Sequence, residues 1–166
     1  VVVLAILGLL IGLLLPAVAA ARERARMTQC AHQTRQLVMG AIGHEAGLRY
    51  FPSNGWGVRW VGMQDRGFGS RQPGGWLYAI LPFIEAQSLY DAAPSLASPM
   101  GSQEFERYVM QLPSSMRCPS RAGPEVLAAD ATIAYRYATP VARFARFDYA
   151  VNSGATFYVN GNGPDG

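Results

Sequence analysis

From Val1 to Ala21 the chain reads VVVLAILGLLIGLLLPAVAAA, with no charge and no polar side chain. A run of that length makes a helix of roughly 30 Å, the thickness of a bilayer's hydrocarbon core. Core helices of soluble domains are rarely apolar all round, so the pattern predicts a membrane-spanning helix. Beyond Ala21 the pattern changes without stopping. Met27, Ala31, Thr34, Val38, Ala41, Glu45 and Leu48 recur at steps of four and three, and Leu37 and Ile42 broaden the stripe. Arg22, Glu23, Arg24, Gln29, Gln33 and Arg35 fall largely off it. One helix is therefore expected from the start of the chain to about Tyr50, roughly 75 Å long. Residues 1–21 form its transmembrane and assembly half, 22–50 its amphipathic half, and 51–166 the globular domain.

Inside the apolar run, Gly8 and Gly12 stand at GxxxG spacing, where helix backbones approach closely. Pro16 removes the hydrogen bond to the carbonyl of Gly12 and predicts a kink between residues 12 and 16. A trimmed secretory signal peptide is the rival reading, since AVA at 17–19 and AAA at 19–21 are small-residue cleavage sites. The continuous helical pattern past Ala21 weighs against it, because a signal peptide has no need of that continuity.

After Tyr50, FPSNGWG supplies turn chemistry, and residues 53–75 read as a long loop that can hold short strands. WLYAILPFIEAQSLYDAA has helical spacing interrupted by Pro82, so a short helix broken or restarted there is expected. Ser102 is placed to cap a helix across EFERYVMQL, with Glu104 and Glu106 in its first turn and Pro113 beyond its end. TIAYRYA, RFARFDYAV and ATFYVN gather β-branched and aromatic residues between Gly and Pro, and read as antiparallel strands. The fold class is α+β, a long helix packed across a sheet so that its stripe is buried.

Composition changes this picture in a few places. All 14 basic residues are arginine and the net charge is +3. No basic stripe is interleaved with aromatics, so nucleic acid is not an expected partner. Cys30 and Cys118 lie far apart in sequence, with no CxxC spacing or histidine partner that would suggest a metal. Outside the cytosol they would form a disulfide tying the helix to the CPS loop; two buried thiols are the alternative. His44 beside Glu45 invites a general-base reading. With no Ser, Cys or second histidine placed to complete a constellation, a solvated or interfacial polar residue is expected instead, and His32 reads as a polar-face residue. One carboxylate, Asp165, stands near GNGPDG, which reads as a turn rather than a calcium loop. No cofactor and no enzymatic activity are expected. Trp56, Trp60 and Trp76, with Tyr50, Phe51 and Phe68, could stack on a sugar or a partner; packing of core and loop is the plainer account.

LAILGLLIGLLLPAVAAARERARMTQC resembles the N-terminal helix of type IV pilin-like proteins, the bacterial pilins and type II secretion pseudopilins. More narrowly, the chain is similar to the DUF1559 group of Planctomycetes and related bacteria. QLVMGAIGHE followed by YFPSNG resembles that group's helix end and Phe-Pro turn, and GGWLYAILPFIEAQSLYD its tryptophan, IEQ-like and tyrosine segment. MRCPS resembles its Cys-Pro-Ser, and FDYAVNSG its Tyr and Asn-x-Gly strand. Pro16 matches the helix-bending proline of pilins. At the end of the long helix the group often has histidines where this chain has Ile42 and Glu45, and His44 takes a neighbouring place that is usually tyrosine.

The resemblance implies a pilin-like fold held in the inner membrane by one span, with the domain periplasmic or extracellular. It also implies a precursor with a basic leader and a Phe-Thr-Leu-x-Glu stretch before the apolar run, and a domain that continues past NGNGPDG. By themselves, Arg22, Arg24 and Arg26 would place the flank after the span in the cytoplasm; in pilin-like proteins the upstream leader dominates. The implied function is structural, a subunit assembling into a filament or pseudopilus. Its expected partners are membrane lipid, other pilin-like subunits, a prepilin peptidase and an assembly platform. The alternative is a membrane-tethered binding module that does not polymerise and recognises carbohydrate through the Trp-rich loop.

Overall fold

A computed structural model of the chain describes residues 1–57, 59–130 and 134–151. A single helix, α1, runs from Val2 to Leu48, about 70 Å at 1.5 Å per residue. It passes through Pro16 as one continuous helix. It ends where Arg49 turns into the left-handed region at φ 68°, while its N–H still donates to the Glu45 carbonyl. This end lies two residues before the expected one.

The second half of α1 buries Gln33, Leu37, Gly40 and His44. Leu37 belongs to the expected stripe, but Gln33, Gly40 and His44 each stand one residue before an expected position, about 100° around the axis. Met27, Ala31, Thr34, Val38 and Ile42 stay exposed, whereas Ala41, Glu45 and Leu48 are half-buried. The reason is closeness of approach rather than hydrophobicity. Against Gly40 the helix meets Ile80 and Ile84, and against Gly43 it meets the ring of Phe83; a larger side chain on that face would hold the backbones apart. Thr34 tolerates exposure because its hydroxyl donates to the Cys30 carbonyl one turn back.

The chain then folds back as short pieces. α2 (Trp76–Ala79), a 3-10 turn (Leu81–Ile84) and α3 (Gln87–Asp91) follow one another. Pro82 sits in the first turn of the middle piece, where its missing N–H costs nothing, and so the helical run is broken there as its sequence predicts. The middle piece of this triplet is what α1 chiefly rests on, together with a further 3-10 turn at Ser114–Met116. The fold is α+β as expected, with a long helix, short helices and a small antiparallel sheet, and among the described residues the stem's principal supports are these short helical turns.

Beyond them, α4 (Ser102–Met110) packs on a two-stranded antiparallel sheet of β1 (Val126–Ala128) and β2 (Arg143–Ala145), with Leu127 opposite Phe144. Gly101 is the residue that precedes α4, and no side chain caps it; Ser102 is the first helical residue rather than the cap. Of the segment RFARFDYAV only Arg143–Ala145 forms a strand, and β1 lies where none was expected. Arg136 and Ala138 of TIAYRYA make isolated parallel bridges to Trp60 and Met100, while residues 131–133, ATFYVN and the Asp165 turn lie outside the described residues. The loop 53–75 contains a 3-10 turn at Gln64–Arg66.

The core collects Leu37 from α1, Tyr78, Ile80 and Leu81, Leu89 and Tyr90, and Met116. The Tyr78 and Tyr90 rings stack at 4.6 Å, and the Tyr78 hydroxyl donates to the Tyr90 carbonyl. A buried polar group is thereby satisfied inside an apolar layer.

Candidate functional site

The first half of α1 leaves the domain behind. Every residue from Val1 to Arg22 is exposed, and a Cβ added at Gly8 or Gly12 would meet nothing within 4 Å. The face carrying the GxxxG pair is thus open to another helix or to lipid. In length and composition this half can cross a membrane: its most apolar 18-residue window has a mean hydropathy of 2.8.

The second half is tied to the domain by covalent, polar and close-packed contacts. Cys30 and Cys118 form a disulfide with Cα atoms 4.9 Å apart, linking positions 88 residues distant in sequence. One turn further on, the Gln33 amide donates to the Ser114 carbonyl and accepts from the Tyr149 hydroxyl at 2.9 Å. Closer to the apolar half, the Ser120 hydroxyl donates to Glu23, whose other oxygen accepts from Arg26. Beside the disulfide, the buried Asp148 carboxylate accepts from the Cys118 N–H and pairs with Arg146 at 3.0 Å.

His44 departs from its expected solvated or interfacial setting. It is fully buried, its Nδ1 lies 2.9 Å from the Tyr50 carbonyl, and the rings of Tyr50, Phe68 and Phe83 enclose it. It serves as a packed post between the end of α1 and the following loop, while Glu45 beside it is half-buried and His32 is exposed. Among the described residues no group of three or more His, Cys, Asp or Glu side chains is arranged to hold a metal ion.

The three tryptophans do not form one surface. Trp56 and Trp60 meet edge to face at 4.9 Å, and Tyr137 lies 5.9 Å from Trp60. Arg66 lies over the Trp56 ring and Arg136 over the Trp60 ring, so each indole already has a guanidinium on one face. Trp76 stands elsewhere, against Phe147.

Two features have no counterpart in the sequence reading. Gln72, 1% exposed, joins separate loop strands with all its polar capacity. Its Oε1 accepts from the Met63 and Gly74 N–H groups, and its Nε2 donates to the Met63 and Gly67 carbonyls. The only sequence signal for such a knot is the density of glycine around it, where backbones approach closely enough for one amide to reach several. The second feature is a cavity of about 300 Å³ between α4, β2 and the short-helix layer. Tyr108, one of its walls, is desolvated there, which pushes its hydroxyl above the usual tyrosine range. On the opposite flank of α4, Glu106 accepts from Arg143 and from the Ala142 N–H. The Arg143 guanidinium holds that carboxyl below the usual glutamate range.

A family model described as SBP_bac_10, protein of unknown function (DUF1559), matches residues 19–165. No curated protein and no solved structure matches the chain.

Proposed function

The chain belongs to the DUF1559 family, and from that premise we propose that it is a pilin-like structural subunit which assembles with its own kind or with related subunits. It is anchored by the apolar half of α1 in the inner membrane, with the domain on the periplasmic or extracellular side. The observation that carries this reading is the division of labour within one uninterrupted helix. Residues 1–22 are exposed on every side, whereas Gln33, Leu37, Gly40 and His44 are buried in the domain. Such a helix is a stem: half of it needs lipid or other helices around it, and half holds the cargo in place. The Cys30–Cys118 disulfide supports an exported domain, because such bonds persist in oxidising compartments. In this reading the role is non-enzymatic, and the intact precursor depends on a prepilin peptidase and an assembly platform.

The test uses the full-length protein in its own membrane. With the native pair intact, cysteine replacing Gly8 or Gly12 should give oxidant-dependent subunit-to-subunit cross-links, while cysteine replacing the exposed Gln103 of α4 should not. Cross-linking lost on adding Gly12→Leu would mark the GxxxG face as the contact. Monomer at every position would defeat assembly, and release of the protein from membranes by alkaline carbonate would defeat the anchor.

The Trp56–Trp60–Tyr137 group favours a second reading, a tethered module that binds carbohydrate without polymerising. Saturable oligosaccharide binding lost in Trp56→Ala and kept in Trp76→Ala would support it, since Trp76 lies apart from the group.

A further inference from the structure

We propose that the cavity between α4, β2 and the short-helix layer is a binding site for a small, flat, uncharged aromatic ligand of about two fused rings. Its volume of about 300 Å³ lies at the lower end of ligand pockets and is twice the roughly 150 Å³ that accommodates benzene in a protein core. The chemistry of its walls selects the ligand further. Among the described residues none of the lining side chains is charged, and tyrosine supplies the only hydroxyls. The Tyr78 hydroxyl is already committed to the Tyr90 carbonyl. An ionic head group would therefore lose its hydration without gaining a partner.

Five of the twelve lining side chains are aromatic: Tyr78, Phe105, Tyr108, Tyr135 and Phe144. Within this wall Phe105 lies nearly parallel to Tyr108 and meets Tyr135 edge-on at 5.7 Å. Aromatic pairs gain from those two geometries beyond the area they bury, a gain open to a planar aromatic guest and closed to an alkyl chain.

The cavity is also held open. On the other flank of α4, Glu106 grips Arg143 at 2.8 Å and the Ala142 N–H at 3.2 Å. These bonds fix α4 against the start of β2. On the far side, Tyr78 and Leu81 belong to the fully packed core and cannot move in to fill the space. The walls are thus set by contacts that do not depend on an occupant, which lowers the cost of binding.

The probe is indole, titrated calorimetrically into the full chain in lipid nanodiscs, with empty nanodiscs subtracted. Saturable heat is expected, together with a rise in the unfolding temperature of the domain. Ala145→Phe places a ring in the cavity from β2 and should weaken indole at least tenfold while leaving the unliganded unfolding temperature equal or higher. If that variant unfolds earlier than the parent chain, Val109→Phe fills the same space from α4 and carries the test. Heat indistinguishable from empty nanodiscs, or a filled variant that titrates like the parent, overturns the site. Octan-1-ol binding as tightly as indole overturns its aromatic selectivity.

Discussion

Gly40 of α1 lies against Ile84 so closely that a Cβ built on the glycine would stand 2.6 Å from the Ile84 Cγ2 atom, with Ile80 Cβ at 3.5 Å. The branched methyl of Ile84 is short and cannot swing away as the end of a long side chain could. Gly40→Leu should therefore destabilise the domain by about 2 kcal/mol or more through overpacking, which outweighs the helix propensity gained. Gly8→Leu is the matched control, because nothing lies within 4 Å of that position. Thermal unfolding of the full chain in detergent should separate the two. Equal unfolding temperatures would mean that the stem does not dock through Gly40.

The disulfide makes a second prediction. Linking residues 88 apart restricts the unfolded chain strongly, and Cys30→Ser should cost about 2–4 kcal/mol. The parent chain should migrate faster without reductant than with it, and the variant should lose that difference. Free-thiol content that is unchanged by reduction would show that the pair is not joined.

Gln72→Leu should be among the most damaging single changes in the loop region. It leaves the Met63 N–H and carbonyl, the Gly67 carbonyl and the Gly74 N–H without their partner. Each buried group so stranded costs about 1–3 kcal/mol, so a loss of about 3 kcal/mol or more is expected in denaturant titration. A variant as stable as the parent would show that water reaches these groups.

The Glu106 carboxyl is held below its usual range, chiefly by the Arg143 hydrogen bonds. A carboxylate with a lowered folded-state value contributes stability that is fully present above its unfolded-state value, near pH 4.3. That contribution fades as the pH falls through the lower folded-state value. Glu106→Gln should accordingly be less stable than the parent at pH 7, and the difference should shrink below about pH 4. Unfolding temperatures of the two chains measured across that range check the sign, and a gap that widened on acidification would contradict it.

The extent of α1 was legible because apolar and amphipathic periodicity is a local property that runs on past Pro16, and the break at Pro82 was legible because proline has no N–H to give. The face that docks was not. Hydrophobicity ranks Met27 and Val38 above Gly40 and His44, yet the buried face is chosen by how closely two backbones approach and by what Cys30 and Gln33 can reach. Those are properties of the partner surface, which a one-dimensional pattern does not contain. For the same reason β1 passed unseen: EVLAA has little strand character of its own and is defined by its pairing with Arg143–Ala145. The tryptophans illustrate the converse. Their closeness in sequence suggested one surface, but the turn into α2 carries Trp76 away to Phe147.

The disulfide at Cys30 also has a mechanical meaning. The docked length of α1 is fixed to the domain at one end by that bond and at the other by the chain leaving through Arg49. Tension drawn along the stem from its apolar half therefore meets a covalent link before it reaches the packed contacts at Leu37, Gly40 and His44. A pull on the apolar half passes into the domain through Cys118, and the contacts at Leu37, Gly40 and His44 lie sheltered behind that link.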